Sequence, residues 1–531
     1  MNKSILALSV ALGVALTGMV QAADLIPVNL DGANEGYNDP AARAPEGGNP
    51  ATTIGGQRQI VAQFAADLWG TILVSDVPVF IGAQFNPLAP NVLGSAGATQ
   101  IWRDHPSFPF ANTWFSAALA DSLAGEDFQP NTIDINSRFS SDFAFYYGLD
   151  GTTPAGQLSF LDVVMHEFGH GLGVQNFEDE ASGVFSDNRP DVYSQFTFDN
   201  TQGLFWPQMS DAQRRASAVN YGKVVFTGSN AIAGSALVLG PRIAFRVTSG
   251  GATGEYEYGT ASFGAAVTTS NFNGTAVVGF DDANAAGPST TDGCTAITSD
   301  VAGKIAIVDR GTCGFAIKAK NVQNAGAVGM IVSNNAAGNS PPGMGGSDPT
   351  VTIPAISLTQ AAGTLLKNNS PATVAFLQDD TELQGADDNG RPRLFMPDPV
   401  QPGSSGSHYD TALSPNALME PAINDSLHAG LFIDMSAALL KDTGWKLNEG
   451  NALIGACDTT IKVIDDAGFI IGANVVATSN LFLATSPDKA TYQARMSAYK
   501  DDLVARSLIT GKQGGKLITC AAKIPASAIG G

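Results

Sequence analysis

Two histidines four residues apart, His166 and His170, accompany Glu167 in the segment Val-Met-His-Glu-Phe-Gly-His-Gly-Leu-Gly, which runs from Val164 to Gly173. On a helix, positions i and i+4 share a face, so both imidazoles can grip one metal ion. Glu167 then stands close enough to take a proton from water bound to that metal. This spacing points to a zinc peptidase. The plainer alternative is a core helix that happens to carry two histidines. The chain has five histidines in 531 residues, and two of them at this spacing weigh against coincidence.

The neighbouring residues predict the helix that such a site needs. Ser159-Phe160-Leu161-Asp162 fits a capping box, with serine at the cap and an acid three residues on. Phe160, Leu161, Val163, Val164, Phe168 and Leu172 supply an apolar surface to bury, and Gly171 and Gly173 are expected to stop the helix. Upstream, residues 57–73 read as a helix and residues 77–85 as a strand. Asn112 to Leu123 reads as another helix, Ile133 to Tyr147 as strand, and residues 148–151 as a turn. Helix and strands leading to a metal-bearing helix give an α+β character.

Composition shifts near residue 225. From there to about residue 380 the chain is rich in Gly, Ala, Val and Thr. Within it, Lys304 to Val308 reads as a buried strand, Phe315 to Ala325 as a helix and Gly329 to Val332 as a second strand. Strands joined by a helix should lie parallel. An independent α/β domain therefore interrupts the chain, and the acidic stretch Asp379 to Arg393 reads as the linker out of it.

Residues 1–22 read as a secretory signal: Lys3 gives positive charge, Ile5 to Val20 is apolar, and Val20-Gln21-Ala22 resembles a cleavage site. No later apolar run is long enough to span a bilayer. Without the signal, 27 basic face 49 acidic side chains, a net charge of −22. That argues against nucleic acid or anionic membrane as partner, and it leaves calcium open as a further ion, at no assigned site. The four cysteines suggest disulfides in an exported protein. The simplest pairing is Cys294 with Cys313 and Cys457 with Cys520, and two other pairings stay open.

A catalytic zinc normally takes three protein ligands and leaves one position for water. In the compact metzincin pattern the third lies six residues after the second histidine, where this chain has Asn176, a poor zinc ligand. Glu178, Asp179 and Glu180 are nearby, at spacings that match no pattern. The segment Gly403-Ser404-Ser405-Gly406-Ser407-His408-Tyr409, followed by Leu418-Met419-Glu420-Pro421, resembles the leishmanolysin branch of the metzincins. In that branch the third histidine follows a long insertion, and a methionine turn packs beneath the metal. The resemblance covers roughly residues 60–225 and 394–446. It implies His408 as third ligand and Met419 as the turn methionine. Tyr409 departs from the usual tryptophan and is the nearest candidate for an oxyanion donor. Asp434 to Trp445 would be the closing helix, His428 is the reserve ligand, and His105 reads as an ordinary loop residue.

Residues 294–356 resemble a protease-associated (PA) domain, on Gly303 to Cys313, Ala325-Gly326-Ala327, Asn334-Asn335 and Ile353-Pro354-Ala355. Such domains accompany unrelated peptidases, contact substrate or another protein, and are not catalytic. A subtilase reading lacks a Gly-Thr-Ser-Met nucleophile segment. A two-zinc exopeptidase reading would use His408-Tyr409-Asp410 and leave the histidine helix unexplained.

The sequence thus leads to a secreted zinc metalloendopeptidase of the metzincin type, with protein or peptide substrates and Glu167 assisting attack by zinc-bound water. The expected order is a signal over 1–22, the catalytic domain over 23–225 and 386–446, the PA domain over 226–385 and a small C-terminal region over 447–531. The alternative from another class is a secreted binding or adhesion protein on a degenerate peptidase scaffold. The intact Glu167 weighs against it, because a purely structural zinc has no use for a base beside it.

Overall fold

The computed structural model describes residues 21–154, 157–423 and 427–530. The apolar run Ile5 to Val20, expected to direct export, lies outside them. Among the described residues, no helix is long and apolar enough to cross a membrane. The fold is mixed α and β, built around two sheets.

The first sheet places Leu25–Asn29, Val79–Asn86, Ile135–Ser140 and Gly94–Ala98 side by side in that order. The first three run parallel, and Gly94–Ala98 closes the edge antiparallel to Ile135–Ser140. Val79, Ile81, Ala83 and Phe85 alternate into the core, the period of two that a pleated strand imposes.

Helix α1 (Ile54–Ile72) and helix α3 (Phe160–Leu172) pack against this sheet and each other, with helix α2 (Ala117–Ala124) beside α3. Thr53 caps α1 by accepting the Gly56 N–H, and Val61, Phe64, Ala65, Leu68 and Trp69 turn one stripe inward. The Trp69 indole donates to Met165 O at 3.1 Å, which locks α1 to α3.

Some elements begin or end where spacing alone did not place them. In Asn112–Leu123, only the part from Ala117 is helical, because Phe115–Ser116 pairs with Ile101–Trp102 as a short ladder. Gly171 does not stop α3 but lies inside it. A Cβ there would come within 2.2 Å of Ile135 Cγ2, so its missing side chain lets helix and strand approach. Gly173, at φ +133°, ends the helix.

After helix α4 (Asp211–Ser217), helix α5 (Ser229–Val238) packs against helix α8 (Ser436–Thr443), where the Asp442 carboxylate accepts the N–H groups of Asn230 and Ala231. The second sheet follows, from Pro241 to Leu383. Its parallel centre is Gly274–Val278, Ile305–Asp309, Gly329–Ser333 and Ala355–Leu358. Helix α6 (Phe315–Asn324) makes the crossover between the second and third of these, and helix α7 (Gln360–Asn368) follows the fourth. The strands Gly254–Tyr256 and Gly259–Thr260 form opposite edges, so the sheet curls until its ends nearly meet.

Asp379 to Leu383, read from sequence as the start of a linker, continues the strand Ala372–Leu383. The partner strand Pro241–Val247 pairs with Asp379 and Leu383 on either side of a bulge over 380–382, and Arg242 answers Glu382 at 2.5 Å. An acidic run on an exposed strand looks like a linker when its cationic partner lies 140 residues away.

Helix α9 (Ile471–Thr485) packs on α1, and Ala452, Val463, Ile470 and Ala473 join the same core as the histidine helix. Helices α10 (Lys489–Ala505) and α11 (Gly511–Lys523) build an adjoining cluster with Ile454, Tyr492 and Leu517. The Cys457–Cys520 disulfide sits in that cluster, and Cys294–Cys313 closes a loop of the second sheet.

Candidate metal centre

Every residue of α3 is buried, so its polar side chains must find partners inside the protein. The Ser159 hydroxyl caps it by accepting the Asp162 N–H at 3.2 Å. The Asp162 carboxylate reaches across to the Ala429 N–H at 2.9 Å instead of closing a capping box. One turn apart on the inner face stand His166 and His170. Beside them comes His408, from a loop turned by Gly403 and Gly406, both at positive φ, and pinned where Gly406 N–H meets Phe395 O and Phe395 N–H meets His408 O.

The three Nε2 atoms converge. His170 lies 3.0 Å from His166 and 3.0 Å from His408, and His166 and His408 are 3.3 Å apart. Each ring turns its other nitrogen to a backbone carbonyl: His166 to Leu418 O at 2.6 Å, His170 to Val174 O at 2.6 Å and His408 to Ser404 O at 2.8 Å. A carbonyl only accepts, so each Nδ1 carries the proton and each Nε2 presents a lone pair. Three buried lone pairs this close repel one another unless a cation sits among them. Tetrahedral zinc with bonds near 2.05 Å would hold its nitrogens about 3.3 Å apart, close to the spacing here.

Burial also keeps the rings uncharged. It pushes His166 down to about 4 and His170 to about 3, and His408 falls well below the ordinary imidazole range, with the neighbouring rings adding to the last two shifts. Neutral imidazole is the form that binds metal. Among the described residues, these three are the group of His, Cys, Asp or Glu side chains whose ligand atoms lie close enough to share one ion.

Glu167 follows His166 and is 5% exposed, with Oε2 enclosed and without a hydrogen-bond partner. Burial pushes its carboxyl up to about 8, a shift that a divalent cation beside it would oppose. The edge strand Gly94–Ala98 passes alongside, and a Cβ at Gly94 would sit 2.5 Å from Glu167 Oε1. Met419 is wholly buried beneath the helix; a Cβ at Gly169 would lie 2.7 Å from its sulfur.

The remaining candidates lie elsewhere. Asn176 abuts Gly406, in the loop that carries His408. Glu178 is buried with neither oxygen hydrogen-bonded, and burial together with Asp191 and Glu180 pushes it up to about 9. Asp179 caps its own turn through Ala181 and Ser182. The Glu180 carboxyl is raised by burial. His428 is exposed, and His105 holds Ser107 at 2.8 Å on the surface. Tyr409 is 1% exposed with its hydroxyl enclosed in the core, a poor position for reaching a reacting carbonyl. The three carbonyls behind the rings, and Gly94, carry no signal in the sequence, because they belong to the backbone or to its close approach.

Residues 272–366 match the family model of the PA domain. Shorter stretches resemble curated proteins. The chain is 50% identical over 52 residues to the human ER degradation-enhancing alpha-mannosidase-like protein 3, covering 9% of this chain and 6% of that one. It is 38% identical over 77 residues to C5a peptidase of Streptococcus pyogenes, covering 14% and 6%. It is 34% identical over 82 residues to the probable lipoprotein aminopeptidase LpqL of Mycobacterium tuberculosis, covering 15% and 16%. The chain therefore spans only a small part of each relative. Among solved structures, BSAP, a zinc aminopeptidase from Bacillus subtilis, is 20% identical over 35% of this chain and 42% of its own, with a TM-score of 0.20. The subtilisin-like protease Apa1 from the Antarctic psychrotroph Pseudoalteromonas sp. AS-11 is 18% identical over 28% and 34%, also at 0.20. At that score neither likeness bears on the fold around the histidines. What the comparisons establish is that the chain carries a PA domain, in the stretch between His170 and His408.

Proposed function

We propose that this protein is a secreted zinc metalloendopeptidase of the metzincin type, in which His166, His170 and His408 hold the metal and Glu167 is the general base. The observation that carries the reading is the convergence of three carbonyl-anchored imidazoles beside a buried glutamate. A zinc ion held there would supply a Lewis acid that activates water and stabilises the developing oxyanion. Glu167 accepts the proton from the attacking water and returns it to the leaving amine. Met419 would floor the site from its buried position against Gly169, between the two histidines of α3.

Gly94–Ala98 is an edge strand whose Gly94 end lies next to Glu167, while at its other end the Ala98 N–H is taken by Gln175 Oε1 at 3.4 Å. An extended peptide can add to that edge as a further strand. Pairing along a strand grips residues on both sides of the scissile bond, which suits cleavage within a chain. In this reading the peptidase unit is assembled from 23–225 and 386–446. Helix α5, counted with the 226–385 insert from sequence, joins it by packing on α8 and burying Ala231 in the same core. The inserted non-catalytic module, which contacts substrate or another protein, is then the second sheet with its helices from Pro241 to Leu383. The PA match and the peptidases among the partial relatives accord with a protease. The two disulfides accord with export.

The test is Glu167→Gln, assayed on casein with and without a chelator. The variant should keep its zinc and lose hydrolysis by several orders of magnitude. A zinc-loaded variant that still cleaves at the wild-type rate would remove Glu167 as the base, and cleavage that survives the chelator would remove the metal. A wild type with no hydrolysis at all would return the protein to the class of non-catalytic binding proteins.

A further inference from the structure

Behind His166 lies a carboxylate that the proposed chemistry does not use. Asp434, 3% exposed, sits just before α8 in the left-handed region at φ +46°. Its Oδ1 accepts the Ser436 N–H at 2.9 Å and the Ser436 hydroxyl at 2.8 Å. Its Oδ2 accepts the N–H of Leu418. The carbonyl of that same Leu418 takes the Nδ1 proton of His166 at 2.6 Å. One carboxylate therefore holds the residue that sets the plane of a candidate ligand ring.

The C-terminal segment holds Asp434 in turn. Gly468 O accepts the Ile433 N–H at 2.9 Å, and a Cβ on Gly468 would lie 2.0 Å from Asp434 O and 2.8 Å from its Cα. Glycine is needed there for two reasons: its own φ is +87°, and the backbone of Asp434 occupies the space a side chain would take. A non-glycine residue in the left-handed region persists only when its surroundings hold it. Here those surroundings are the Asp465–Phe469 turn on one side and the Leu418–Met419 turn on the other.

We propose that Asp434, braced by Gly468, is a positioning residue of the metal centre: it fixes Leu418 and through it the orientation of His166. The C-terminal segment thereby acts on the site from outside it. This rests on the zinc reading above, and groups behind a ligand of this kind are worth about 10–100-fold in metal affinity.

The test uses the full chain and three readouts that do not depend on turnover: zinc affinity by chelator competition, the visible absorption of the cobalt-substituted protein, and the melting temperature of the metal-free protein. Asp434→Ala and Gly468→Ala should weaken zinc by about 10–100-fold and change the cobalt bands. Asp434→Asn should fall between them and wild type. Asp442→Asn is the control, because that carboxylate also holds backbone N–H groups at α8 but serves α5. It should leave affinity and bands unchanged even where the metal-free melting temperature drops as far. Should Asp434→Ala fail to fold, Gly468→Ala and Asp434→Asn carry the comparison. Wild-type affinity and bands in the Asp434 and Gly468 variants would overturn the proposal, as would equal losses in Asp442→Asn. A wild type that binds no cobalt would instead defeat the metal reading on which it stands.

Discussion

A single methyl group placed on Gly94 probes the proposed general base without substituting it. The edge strand runs so close to the histidine helix that this Cβ would lie 2.5 Å from Glu167 Oε1, 2.8 Å from Cγ and 2.9 Å from Cδ. Ordinary carbon contacts begin near 3.4 Å, so Glu167 or the strand must give way by about 0.9 Å. Glu167 is 5% exposed and has little free space to retreat into. A misplacement of about 1 Å at a reacting group costs on the order of 100-fold in rate, or about 2.7 kcal/mol of barrier. Gly94→Ala should therefore lower kcat/KM on a quenched fluorescent peptide about 100-fold. Its zinc content, measured by atomic absorption, should equal that of wild type, because the three atoms nearest that methyl all belong to Glu167. Wild-type kcat/KM in a fully metal-loaded variant would refute the placement of Glu167 beside the substrate edge.

Other consequences follow from burial and connectivity. Burial pushes Asp162 from its ordinary 3.8 up to about 7, so between those values the folded chain binds more protons than the unfolded one. That stabilisation is complete below 3.8 and is lost as pH rises through about 7, at up to about 1.4 kcal/mol per pH unit. Asp162→Asn keeps an acceptor for Ala429 N–H and should flatten that decline in urea midpoints recorded across the window; an unchanged slope would remove Asp162 as its source. The Cys457–Cys520 bond spans 63 residues and Cys294–Cys313 spans 19. Replacing each pair by serine should cost about 4 and about 3 kcal/mol of unfolding free energy respectively, read by chemical denaturation. A loss below about 1 kcal/mol for the longer loop would mean that the unfolded chain is held together by other means.

The sequence made the histidine helix legible because its information is local. Ser159, the i and i+4 spacing and Gly173 all act within a few residues of one another, and hydrogen-bond geometry converts them directly into a capped, terminated helix. The strand–helix–strand unit around α6 was legible for the same reason: its apolar runs alternate with a helical period. His408 could not be found by spacing, since 238 residues separate it from His170; only the resemblance of its Gly-Ser segment pointed to it. Gly171 was misread because a glycine at a helix end and a glycine at a close crossing look identical in one dimension, and Ile135 decides between them. Asp379 to Leu383 was misread because a charged strand needs a distant Arg242 to make sense. Asp434 and Gly468 gave no signal, because each works through backbone atoms of residues remote in sequence. The segment after residue 447 looked peripheral, yet α9 packs on α1, and only the folded chain shows it.

The most direct test of the metal centre is the metal content of the purified full chain, compared with His408→Ala and His428→Ala. One zinc per chain is expected in wild type and in His428→Ala, with occupancy largely lost in His408→Ala. A His408→Ala variant that retains a full equivalent of zinc at wild-type affinity would contradict the account.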